Sequence, residues 1–191
     1  MASPGNAARH THADLVWVQS MGGPLIVLPV SALSAWGGGT EDGVILGGTG
    51  APDDYDRACD VGGWAGVVDV TPTRSGLVLA DEPATTCYLP GQRIFVRWLA
   101  AESDAELLAA AAAVLDDPAT DWADCGIWET DGPAVLMDSA VAGAHLGVGY
   151  PDGGMPEQAA VPVPPGRWSV RACHRTADFP WVGVVQLLPG A

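Results

Sequence analysis

Along most of this chain apolar residues come in short alternating runs, and they fall at helical spacing over only one long stretch. Leu15 to Gln19 and Leu25 to Leu28 open the series of predicted strands. Trp64 to Val70, Gly76 to Ala80, Thr85 to Leu89 and Arg93 to Leu99 continue it. Asp124 to Glu129, Ala134 to Met137, Ala159 to Val163, Arg167 to His174 and Trp181 to Leu188 complete it. In the helical stretch, Leu107, Leu108, Ala111, Val114 and Leu115 form one stripe. Ser103 and Glu106 make a capping box at its start, and Asp117-Pro118 ends it. Shorter helices are expected at Ser31 to Trp36, capped by Ser31, and at Pro52 to Asp60, with Pro52 in the first turn. The fold class is therefore α+β and β-dominated, with mostly antiparallel sheets, one main helix at about 103–116 and one or two short helices.

Gly22-Gly23-Pro24 separates the first two strands. A phosphate loop needs consecutive backbone N–H donors leading into a helix, and a Lys. Pro24 lacks the donor, a strand follows, and the chain has no Lys. The expectation is a hairpin turn.

The chain also echoes itself. "VLAD" at 78–81 matches "VLMD" at 135–138, and "PGQRIFVR" at 90–97 matches "PGRWSVR" at 165–171 after one skipped residue. Strand alternation puts Ile94, Val96 and Trp98 on one face, as with Trp168, Val170 and Ala172. Arg93 with Arg97, and Arg167 with Arg171, take the other face. A duplicated strand-loop-strand unit is the preferred reading. It gives a disordered tail at 1–13 and one domain at 14–191, with similar halves at about 61–100 and 122–188.

Composition adds direction. The net charge is -15, from 23 acidic and 8 basic residues, all of the latter Arg. Such a balance argues against nucleic acid and anionic membranes as partners; it favours a basic partner or simple solubility. Cys59, Cys87, Cys125 and Cys173 form no C-x-x-C pair, so they read as reduced apolar fillers in a cytoplasmic protein. The N-terminal stretch lacks a secretory apolar core, and no run is long enough for a membrane helix.

Catalytic signatures are missing from the pattern: there is no G-x-S-x-G and no H-E-x-x-H. His10 and His12 lie in the tail, and neighbouring Cys173 and His174 point to opposite faces of a strand. Asp53, Asp54, Asp56 and Asp60 cluster at a helix start. Asp53, Asp56 and Asp60 share a face, which suits either a divalent metal, and so a metal-dependent hydrolase, or a solvated helix N-terminus. A second group comprises Asp116, Asp117, Asp121, Asp124, Glu129 and Asp131, with Trp122 and Trp128 interleaved. It reads as an electrostatically steered contact surface with aromatic anchors, or as core tryptophans beside solvated acids. Asp53, Asp54 and Asp56 of the first group and all of the second are candidate partner-binding residues. No metal or other cofactor is expected, and a non-catalytic scaffold or regulatory module is a further alternative.

The ordered segments "WVQSMGGPLIVLP", "DYDRAC", "VLADEPATTCYLP", "WETDGPAVLMDSA" and "WVGVVQLLP" resemble the bacterial polymorphic-toxin immunity family numbered twenty-one. The resemblance covers about residues 14–189. It implies a largely β, cytoplasmic protein that binds a cognate protein toxin and neutralises it by occlusion. It carries no catalytic residues over. An acidic protein suits a basic toxin.

Overall fold

The computed structural model describes residues 15–80 and 82–190; the tail expected at 1–13, with His10 and His12, lies outside them. Eleven strands form two antiparallel sheets. The strands are β1 (Trp17–Val18), β2 (Leu25–Pro29), β3 (Gly66–Thr71), β4 (Arg74–Leu79), β5 (Thr86–Leu89), β6 (Ile94–Ala100), β7 (Ala123–Thr130), β8 (Ala134–Asp138), β9 (Gln158–Val161), β10 (Gly166–Arg175) and β11 (Trp181–Pro189). The six-stranded sheet runs β1-β5-β6-β11-β10-β7, and the five-stranded sheet runs β3-β4-β2-β8-β9. The β-dominated α+β class expected from the pattern is the class observed.

The sheets pack face to face, because alternate residues on each are apolar and must leave water. Val27, Leu77 and Leu136 from one sheet meet Phe95, Trp128, Val170 and Val185 from the other in a single buried cluster. The outer face of the larger sheet is covered by helix α2 (Asp104–Asp116). Its Leu107, Ala111 and Val114 pack on Ile94, Val96, Val182 and Val184. Ser103 caps this helix by accepting from Glu106 N–H at 3.3 Å, while the Glu106 carboxylate takes the N–H of Glu102, at 2.9 Å. The outer face of the smaller sheet is covered by a 3-10 helix at Val30–Ala35, by α1 (Asp54–Cys59) and by the loop after β8. There Ile26, Leu28, Val78 and Met137 bury Trp36, Ala58 and Leu146.

Three expectations are corrected. Gly22-Gly23 does not turn a hairpin: β1 pairs with β5 while β2 pairs with β4 and β8, so the bend carries the chain from one sheet to the other. Ser31 does not cap the 3-10 helix; Pro29 stands at the cap position without a side-chain bond, and the Ser31 hydroxyl donates to Asp131. Arg93 lies outside the strand, so the alternation through Arg97 does not extend to it. It precedes β6 with φ 52°, its guanidinium over Trp168, whereas Arg97 is buried between the sheets.

The echoing strands also differ in facing. β6 and β10 both pair with β11, with Val96 opposite Val184 and Val170 opposite Leu187. Val96 therefore faces α2, and its counterpart Val170 faces the interior between the sheets. Register against the shared strand, rather than local identity, sets the facing.

The two ends of this sandwich are unequal. Short turns at 72–73, 90–93, 131–133 and 162–165 close one end. The other end collects the crossovers at 19–24 and 80–85, the α2-bearing connection at 101–122, the loop at 139–157 and the hairpin tip at 176–180.

Candidate protein-binding site

The acids around α1 have structural employment. Asp53 is the helix N-cap and makes a reciprocal capping box with Asp56. Its second oxygen accepts from Thr40 N–H at 2.6 Å, and Asp54 accepts from Gly37 N–H at 2.6 Å and pairs with Arg57. Asp56 is buried and accepts from Val44, Ile45 and Asp53 N–H at 2.7, 2.8 and 2.9 Å. Burial pushes the Asp56 carboxyl upward, but the backbone donors of Ile45, Asp53 and Val44 outweigh it and hold the group below its ordinary range. These carboxylates fasten the glycine-rich loop at 37–48, whose N–H groups have no ladder to join. Asp60 sits at the opposite, C-cap end of the helix. Among the described residues no group of three or more His, Cys, Asp or Glu is placed to hold a metal ion.

The second acidic group divides between the two ends of the sandwich. Asp116 and Asp117 lie at the C-terminus of α2, where the macrodipole disfavours them. Asp117 accepts from Ala119 N–H at 2.9 Å, and Thr120 Oγ1 donates to Val114 O at 2.7 Å, which fixes the turn into β7. Asp121 follows, exposed and close enough to β10 to raise the pKa of the Cys173 thiol, after burial itself. Trp122 lies half-buried against the α2 side of the sheet, with the Arg171 guanidinium 4.1 Å from its ring centroid. Arg171 is held by Gln186 Oε1 at 2.9 and 2.6 Å, and Asp124 faces it across the strand pair. Asp116, Asp117, Asp121, Trp122 and Asp124 thus form one corner at the end with the long connections.

Glu129 and Asp131 lie at the far end of β7, among the short turns. Glu129 pairs with Arg167 at 3.0 Å. Asp131 accepts from the Ser31 hydroxyl at 2.8 Å and pairs with Arg74 at 2.8 Å. The Ser31 hydroxyl and then Arg74 hold its carboxyl below the ordinary range against the effect of burial. Trp128 is fully buried between the sheets and donates to Ser75 O at 3.2 Å, so it presents no surface.

Ile127 of β7 is exposed within this second acidic group, and other exposed apolar side chains stand on the loops. Phe179 and Trp181 stand at the β10–β11 hairpin tip, and Met21, Val148 and Met155 stand on the loops of the same end. A sequence signal existed for Phe179: it interrupts a turn-forming string, Asp178 to Pro180, where no core could use it. No described helix is long and apolar enough to cross a membrane.

Comparison with known proteins gives one family. The family model described as Immunity protein 21 matches residues 16–179. No curated protein and no solved structure matches. The match takes in β1 to β10 and stops before β11, and on it this chain belongs to the immunity protein 21 family.

Proposed function

We propose that this protein neutralises a cognate bacterial toxin by binding it, without catalysis of its own, in the cytoplasm of the producing cell. The observation that carries this reading is the family match over residues 16–179. The net charge of -15 supports a basic toxin as the partner, since opposite charge speeds encounter. The corner of Asp116, Asp117, Asp121 and Asp124 is the steering surface, with Trp122 held beneath it by Arg171. Asp53, Asp54 and Asp56 contribute by keeping the loop at 37–48 in shape, and Glu129 and Asp131 by bracing the other end through Arg167 and Arg74.

The test is growth. The reading frame beside this gene is expressed alone and together with this protein. Arrest in the first case and growth in the second are expected. Arrest in both, with the protein present at full level, overturns the proposal.

A further inference from the structure

At the end with the long connections, a groove of about 690 Å³ runs between the 19–22 crossover and the 150–157 loop. Met21, Tyr150 and Met155 line it, and Gly22, Gly153 and Gly154 leave its backbone uncovered. A second hollow of about 670 Å³ continues from it past Val148 and shares Met21, Asp138 and Tyr150. Met21 and Met155 are 81% and 53% exposed, and with Val148 they put apolar surface along these two hollows.

The walls are tied together rather than merely adjacent. Asp138, at the end of β8, accepts from Met21 N–H at 2.7 Å and from Ala140 N–H at 2.9 Å. Glu157 accepts from Gln19 N–H at 2.7 Å, and Ser139 N–H and hydroxyl both donate to Pro24 O, at 3.2 and 2.6 Å. Tyr150 and Gly154 close the opposite turn, N–H to O at 3.0 Å. A groove held this way loses little freedom when occupied.

Its charge is of one sign. Residues 19–56 and 132–166 contain no Arg or Lys, yet they carry Glu41, Asp42, Asp138, Asp152 and Glu157 besides the α1 acids. Methionine adapts to varied apolar shapes, and surrounding carboxylates favour cations at the rim. We propose that this groove seats an apolar side chain of the toxin, flanked in the toxin's own sequence by Arg or Lys. The inference rests on the neutralising function proposed above, and it adds an anchor to the steering corner.

The test compares three single substitutions that change net charge equally, measured by calorimetry against the purified toxin of the neighbouring reading frame. Met21→Arg and Met155→Arg place a cation in the groove. Val30→Arg places one on a residue about as exposed as Met155, 55%, at the end with the short turns. Melting temperatures near that of the unaltered protein certify folding, and exposed positions make this the expected result. The groove predicts at least a tenfold loss of affinity for both methionine variants and less than a twofold change for Val30→Arg. Equal weakening by all three reduces the effect to overall charge and overturns the groove. Unchanged binding by both methionine variants overturns it too, while leaving neutralisation standing. A toxin that the unaltered protein neither binds nor neutralises overturns both.

Discussion

The Asp138 carboxylate accepts the backbone N–H of Met21 at 2.7 Å, joining residues 117 positions apart in the chain. This bond fastens the crossover between the sheets to the end of β8, and it does so with a side chain that is 4% exposed. Replacing it frees Met21 and Ala140 N–H together. Asp138→Ala is expected to lower stability by about 2 kcal/mol, within the usual cost of stranding donors when one of them regains water. Urea unfolding checks it. A change below about 0.5 kcal/mol contradicts the structural role.

The pH dependence has a predicted sign. Asp56 has a depressed folded-state pKa, owed to the N–H groups of Ile45, Asp53 and Val44 against the opposing effect of burial. Its contribution is therefore fully present above the unfolded value, about 3.9, and is lost as pH falls through the folded value. Asp131, held by the Ser31 hydroxyl and Arg74, acts in the same direction. Melting temperature should be flat above about pH 5 and fall below pH 4 on this account. Asp56→Asn should start lower, because an amide turns donors toward donors, and should show a shallower acid limb. An acid limb as steep as that of the unaltered protein would remove Asp56 from the explanation.

The main helix was legible because its evidence is local: Ser103 and the stripe from Leu107 to Leu115 need no knowledge of the rest of the chain. The strands were legible for the same reason, as alternation. Gly22-Gly23 misled because turn chemistry says that a chain bends, not which sheet receives it. Val96 and Val170 diverged because register is set by β11, far away in sequence. Trp128 and Trp181 both fall in predicted strands, yet one is buried against Ser75 and the other is exposed at a hairpin tip. The acids around α1 looked like a ligand site because backbone N–H partners, unlike side chains, leave no mark in a sequence.

Thiol reactivity separates the cysteines. Cys87 is buried, and its thiol is pushed up to about 12 by burial and by Asp104. Cys173 is also buried and raised, first by burial and then by Asp121. Cys59 and Cys125 are half-buried, with thiols raised chiefly by burial. A disulfide reagent at neutral pH should therefore label Cys59 and Cys125 slowly, and Cys87 and Cys173 only after unfolding. Mass spectrometry of the labelled peptides gives the order. Early labelling of Cys87 would contradict the packing of α2 on β5 and β6.

Gly38 carries a strict steric requirement. Its φ is +66°, and a Cβ there would collide with the backbone of Ala140, Val141 and Ala142. Gly38→Ala should cost about 2–4 kcal/mol, combining an unfavourable φ with a clash against main chain that cannot rotate away. A melting temperature equal to the unaltered protein's would contradict the docking of the loop at 37–48 on the loop after β8.

Steering and anchoring separate kinetically. Asp121→Arg with Asp124→Arg should slow association with the toxin about tenfold at low salt and leave dissociation nearly unchanged. Trp122→Ala, which removes the ring that stacks on Arg171, should speed dissociation and leave the salt dependence of association unchanged. Stopped-flow measurement distinguishes them, and unchanged association in the double variant would remove the corner from the mechanism.

The most direct test of toxin neutralisation is the association rate of the purified protein with the purified toxin of the neighbouring reading frame, taken from low to high salt. A one-to-one complex of nanomolar affinity is expected, with an association rate that falls steeply as salt rises. No complex at any salt would contradict the neutralising function, and tight binding with a salt-independent rate would contradict the acidic surface as its means.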